Sequence, residues 1–223
     1  MNSPLSAPHA GIAAESTIHQ YAQVADEAII QKTAAHLTPR NIQSHVVADR
    51  AAALKLTKKL ISAGASVQIG ASRTLEEIGF IDYLKEDKHG WNNLHGKVAT
   101  ETDPVKQASL RKQATLSDFY LGSVHALTED GELLIASNTG SQMPNIVYSS
   151  DNVIFVVGAQ KIVPDRAAAF ERLQSHVVPL EDERMMQAYG MHTQLSKIIL
   201  FEKESAFTGR TIHVILVCEK LGF

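Results

Sequence analysis

The chain has a single cysteine, Cys218, among 223 residues. That count excludes an internal disulfide framework and any zinc or iron–sulfur site built from cysteines. The apolar run IHVILVC around Cys218 predicts a buried strand thiol rather than a nucleophile. No apolar stretch reaches the roughly 18 residues that a membrane-spanning helix needs. The opening MNSPLSAPHAGIAAES lacks the basic and apolar regions of a secretory signal, so the cytoplasm is the expected location. Basic runs interleaved with aromatics are missing too. With a formal net charge of -3 and a pI near 6.4, no nucleic-acid partner is expected.

Several catalytic signatures are also lacking. There is no GxGxxG and no GxxxxGK[ST], so neither a dinucleotide nor a P-loop reading has support. HExxH and GxSxG are absent as well. The ten histidines are scattered, and His89 and His95 match no zinc spacing. No metal is expected, and no cofactor is assigned.

What remains is an ordinary globular composition, 44% apolar and 20% charged, long enough to bury a core without staples. Residues 1–16 are rich in Ser, Pro, Ala and Gly and read as a disordered tail. Residues 17–223 read as one α/β domain. Helical spacing runs from Ile18 to His36 and is stopped by Pro39. A short run from Ile42 to Val47 reaches Asp49, which can cap a helix from Arg50 to about Ala63, with Gly64 at its C′ position. SVQIG (66–70) reads as a strand feeding a helix at ASRTLEEIGF. Residues 81–104 read as an irregular surface excursion.

A helix over 105–114, the strand SDFYLG, a hairpin turning at Asp130-Gly131 and a short helix near GSQMPNIVYS follow. VIFVVG (153–158) is apolar without alternation, as a strand covered on both faces should be. Helices starting at Pro164 and at Leu180, then strands IILF and TIHVILV, complete the pattern. The expected fold is Rossmann-like, a mostly parallel sheet with helices on both faces.

In such sheets ligands sit beyond the carboxyl ends of the strands. Gly70, Ser72, Arg73 and Thr74 follow one strand end and open a helix. They can form an anion site or simply cap that helix. Ser123 and His125 follow a second strand end, and Lys161 follows Gly158 at a third, where it can neutralise an anion or be solvated. Asn138, Thr139, Gly140, Ser141 and Gln142 crowd donors into one loop, more than a bare turn requires. Glu129 is either a turn residue or, if buried near the crevice, a nucleophile or base. His213, inside an apolar strand, reads as a hydrogen-bonded core residue.

Five stretches carry a family resemblance. Gly-Ala-Ser-Arg-Thr-Leu-Glu-Glu-Ile-Gly (70–79), Gly-Ser-Val-His-Ala-Leu-Thr-Glu-Asp-Gly-Glu-Leu (122–133) and Asn-Thr-Gly-Ser-Gln (138–142) resemble the LUD, or lactate-utilisation, domain. So do Val-Val-Gly-Ala-Gln-Lys-Ile-Val (156–163) and Ile-His-Val-Ile-Leu-Val-Cys-Glu-Lys-Leu-Gly-Phe (212–223). The resemblance implies a fold of the NagB, ribose-5-phosphate isomerase and CoA-transferase type. It also implies a role in oxidising L-lactate to pyruvate, beside separate iron–sulfur subunits. Many relatives carry a Cys-rich insertion after the position of Glu181-Asp-Glu-Arg. MMQAYGMHTQLSK stands there in this chain, so no cluster is carried over.

Thr128-Glu129-Asp130-Gly131 is similar to the glutamate turn of acyl-CoA transferases, with Asp130 in place of Asn. From the resemblance to the LUD domain, the expected function is an accessory protein of lactate utilisation binding a small anion. The alternatives are an enzyme on a phosphorylated sugar or acyl-CoA, or a non-catalytic partner subunit. A homodimer is expected on general grounds.

Overall fold

Two seven-residue apolar strands, β7 (Asn152–Gly158) and β10 (Thr211–Val217), lie side by side at the centre of the fold. The structure, a computed structural model, describes residues 20–223. The expected tail over residues 1–16 and the first residues of the expected first helix lie outside them. Around the central pair, β1 (Ile42–Val47), β2 (Ser66–Ile69), β3 (Asn92–Asn93) and β4 (Phe119–Gly122) complete a six-stranded parallel sheet. Its order is β1-β10-β7-β4-β2-β3.

The two-residue side-chain period divides the core. Phe119, Leu121, Ile154, Val156, Ile215 and Val217 face one side. There they meet Ala53 of α2 (Arg50–Leu60), Leu75 of α3 (Arg73–Glu77), and Phe80 and Leu84 of α4 (Phe80–Lys85). Tyr120, Val153, Phe155, Val157, Val214 and Leu216 face the other side, against Ile30, Ala34 and Leu37 of α1 (Glu27–Leu37).

That second face carries more than a helix. A four-stranded sheet packs there, with order β8-β5-β6-β9, formed by β5 (Ala126–Thr128), β6 (Leu133–Ser137), β8 (Ile162–Val163) and β9 (Lys197–Phe201). Leu127, Leu133 and Ile135 point into the central core, while Ala126, Leu134 and Ala136 point outward. The outward set meets Ala169 of α7 (Arg166–Arg172), with Leu173 and Val177 beyond it. The α/β fold with a mostly parallel sheet is as expected, and the small sheet is an extra layer between it and α7.

Local chemistry explains most boundaries. Asp49 caps α2 as expected, accepting from the Ala52 N–H at 2.8 Å. Asp165 caps α7 in the same way. Other expectations need correction. α1 begins only at Glu27, and residues 21–23 form a turn. Its buried face is Ile30, Thr33, Ala34 and Leu37, a stripe hidden in the sequence because Thr33 is polar. Gly64 sits in a turn four residues beyond the end of α2 rather than at C′.

Residues 81–104 are irregular only in part, at 86–91 and 101–103. They hold most of α4 and all of α5 (Leu94–Thr100), with Asn93 capping the latter through the Gly96 N–H. α6 (Pro104–Gln113) follows as expected. α7 and α8 (Val178–Tyr189) are one continuous helical path joined by a π turn at Leu173–Val177. Pro179 would clash with a regular preceding turn, and the wider π turn accommodates it. Cys218 lies one residue past β10 and is exposed, not buried. Partial desolvation and nearby Glu27 raise its pKa, so it stays a poor nucleophile. His213 is buried as expected, its Nδ1 3.1 Å from His45 Nε2.

Candidate functional site

The carboxyl ends of β2 and β4, and the turn after β7, open onto a cavity of about 490 Å³. The small sheet supplies a second wall through Ile135 to Thr139. The π turn and α8 supply a third, and His95 of α5 with Arg111 of α6 a fourth. The site therefore exists because the extra sheet stands off the parallel sheet at its carboxyl edge.

Lys161 is the central group. β7 runs into a single 3-10 turn, Ala159–Lys161, which carries the lysine across the strand ends. Only 4% of the residue is exposed. Its Nζ donates to Thr74 Oγ1 at 3.0 Å, Ser123 Oγ at 3.1 Å and the Val124 carbonyl at 3.2 Å. None of these partners is charged. Burial, with the Arg172 guanidinium as a second cause and Glu77 opposing, lowers the Lys161 pKa to about 7.

His125 adds a neutral donor. Its Nδ1 accepts from the Ala136 N–H at 3.0 Å, so a neutral ring carries its proton on Nε2. Burial, Lys161 and Arg172 push its pKa down to about 3. Behind it, the fully buried Arg172 donates from Nη1 to the His125 carbonyl oxygen. Arg172 Nε and Nη2 and His176 Nδ1 find no partner among the described residues. Burial first, then Arg172, holds the His176 pKa near 4. Two basic groups are thus buried near each other, Lys161 lining the cavity and Arg172 behind His125, with no carboxylate bonded to either among the described residues.

The cavity brings together Gly70, Ser72, Arg73, Thr74, Ser123, Asn138, Thr139, Ser141, Gln142 and Lys161. Their roles differ. Ser72 caps α3, accepting from the Leu75 N–H at 3.3 Å. That helix has only five residues, so its dipole offers an anion little. Arg73 pairs with Glu76 at 2.6 Å on the surface. The polar loop spends much of its chemistry on itself. Ser137 Oγ donates to Gln142 Oε1 and accepts from the Gly140 N–H, and Thr139 Oγ1 donates to Ser141 Oγ. Gly140 shapes that turn and does not line the cavity.

Glu129 is not brought in. It does not line the cavity, and it pairs with Lys32 of α1 at 2.8 Å. The type of turn seen in the sequence is real, with the Gly131 N–H donating to the Thr128 carbonyl. It faces α1 because β5 leads away from the crevice.

Other residues at or behind the walls give little signal in the sequence. Arg172, behind the lining, sits inside an ordinary amphipathic pattern. Residues 221–223 fold back over the strand ends. The Leu221 carbonyl accepts from Gln160 and Thr74, and the Gly222 N–H donates to Glu77 Oε2 at 2.8 Å. Gly222 has φ 65°, and a Cβ there would come within 2.5 Å of Thr74 Oγ1 and 3.2 Å of Lys161 Nζ. Glycine lets that segment lie against the lysine.

Among the described residues no group of three His, Cys, Asp or Glu side chains could hold a metal ion, and no helix is long and apolar enough to cross a membrane. In comparisons with known proteins, the family model described as LUD domain matches residues 30–217. No curated protein matches the chain. Among solved structures, a DUF162 family protein from Deinococcus radiodurans is similar at 12% identity. The match covers 87% of this chain and 99% of that one, with a TM-score of 0.46.

Proposed function

The chain belongs to the LUD domain family, which is associated with lactate utilisation, and from that premise we propose that it serves this metabolism by binding a small anion in the crevice. The observation that carries the proposal is Lys161. A buried lysine normally pairs with a carboxylate, yet this one meets two hydroxyls and a carbonyl at the edge of a cavity. Arg172, buried nearby with two donors unpartnered among the described residues, adds positive potential. A carboxylate or phosphate entering the cavity supplies the missing charge.

The sequence expectation of an acyl-CoA transferase depended on Glu129, and the Lys32–Glu129 pair outside the cavity counts against it. The test is a thermal-shift panel of L-lactate, pyruvate, ribose 5-phosphate and acetyl-CoA. A ligand at a hundredfold its Kd stabilises by about 2.7 kcal/mol, roughly 5–10 °C for a domain of this size. The shift should vanish in Lys161→Met. A flat panel, or a shift unchanged in that variant, would sink the proposal.

A further inference from the structure

We infer that the Lys161 amine is a covalent anchor, condensing with the aldehyde or keto carbon of a small anionic carbonyl compound. The inference rests on the anion-site reading above and names its substrate class. Three features of the geometry carry it.

First, the surroundings of Nζ suit an amine as well as an ammonium. A lysine held purely as a cation is kept charged by a carboxylate, but Thr74 and Ser123 offer hydroxyls that can accept a hydrogen bond or turn and donate one. Only the Val124 carbonyl is restricted to accepting. Losing a proton therefore leaves no buried atom of this cluster without a partner.

Second, donors suited to a carbonyl oxygen line the same cavity. His125 carries its proton on Nε2, because Nδ1 is occupied by the Ala136 N–H. A neutral imidazole polarises a carbonyl without adding charge. Third, positive charge buried next to the cavity calls for an anion on the same molecule. Arg172 does not line the cavity but sits buried beside His125, with Nε and Nη2 unpartnered among the described residues.

The charged and titratable groups near Lys161 are Arg172, Glu77 and the neutral His125 and His176. Burial first, then Arg172, with Glu77 opposing, bring its pKa to about 7, so a large fraction is free amine in neutral solution.

The step balances without a co-reactant. The ammonium first gives one proton to solvent. The Nζ lone pair then forms the C–N bond as the carbonyl π pair moves onto oxygen. That oxygen takes one proton from nitrogen, giving a carbinolamine. As the C–O bond breaks, the second nitrogen proton leaves with the oxygen, so amine plus carbonyl yields imine plus one water.

The experiment is reductive trapping. Full-length protein is incubated with pyruvate or with ribose 5-phosphate, each with sodium cyanoborohydride, and the adduct is located by peptide mass mapping. Thermal shifts are recorded in parallel without the reductant. The expected result is a single adduct on Lys161, heavier by the trapped carbonyl compound less one oxygen atom. It should be lost in Lys161→Met and Lys161→Arg, with melting curves showing both variants folded. Which compound is trapped distinguishes an oxo acid from a sugar phosphate.

A Lys161-dependent thermal shift with no adduct would overturn covalent anchoring and leave the anion site standing. Adducts spread over surface lysines with no preference for Lys161 would overturn it as well. No shift and no adduct would remove both readings.

Discussion

At the scale of single residues, the fold accepts an energetic cost at Lys161. Because its folded pKa is about 7, below the ordinary 10.5, the unfolded chain binds the extra proton between those values. Stability must therefore rise with pH across that window. Lys161→Met removes the slope, and urea unfolding at pH 7 and pH 10 is the check. The variant should be at least as stable as the parent at pH 7, since a methionine of similar length has no charge to desolvate.

The buried histidines act at the other end of the scale. His125 near pKa 3, and His176 and His213 near 4, are kept neutral chiefly by burial. Below the ordinary 6.5 the unfolded chain takes up their protons first, so stability falls with pH from about 6.5 toward 4. By pH 5 each should cost on the order of 1–2 kcal/mol. A denaturant midpoint that held constant from pH 7 to pH 5 would refute this.

At the scale of elements, short polar clamps fix the segments that frame the site. Arg210, buried, donates to the Ser150, Asn145 and Ile146 carbonyls and pairs with Glu204 at 3.0 Å. It thereby ties the π turn Asn145–Ser149 to the start of β10. Arg210→Leu strands a buried carboxylate and three carbonyls, and should cost about 3–5 kcal/mol in equilibrium unfolding. A loss under 1 kcal/mol would show the clamp to be dispensable.

The folded-back segment at residues 221–223 is a second case. Gly222→Ala puts a Cβ against Thr74 and Lys161 at a backbone conformation that favours glycine. It should weaken anion binding tenfold or more while lowering Tm by only a few degrees. Binding at parental strength would show that this segment does not shape the site.

Elements also show where the sequence was legible. The central strands were readable because VIFVVG and TIHVILV are apolar on both faces, and a doubly covered parallel strand requires that. Asp49 was readable as a cap from its position alone. α4 and α5 were not, because their apolar residues, such as Phe80, Leu84 and Val98, are diluted among charges in short helices. The continuity of α7 and α8 was masked by Pro179, since a π turn leaves no residue signature.

At the scale of the whole molecule, the site depends on a contact between two sheets, and pairings across such a gap are not written in local spacing. The glycine-marked strand ends at Gly70, Gly122 and Gly158 lie on the edge of the parallel sheet where the cavity opens. Thr74, Ser123 and Lys161, remote in sequence, meet there. Arg172 was missed because its role arises from stacking α7 on the far face of the small sheet. Glu129 was overvalued because a turn motif says nothing about which way the hairpin faces.

The measurement that tests the central claim most directly is calorimetric titration of the anion giving the largest thermal shift, at about pH 8 in buffers of different ionisation enthalpy. If the anion pairs with Lys161, it must raise the lysine pKa, so binding should draw most of one proton from the buffer. The uptake, together with the binding heat, should disappear in Lys161→Met. Binding without proton uptake, or uptake that persists in that variant, would contradict an anion held by this buried amine.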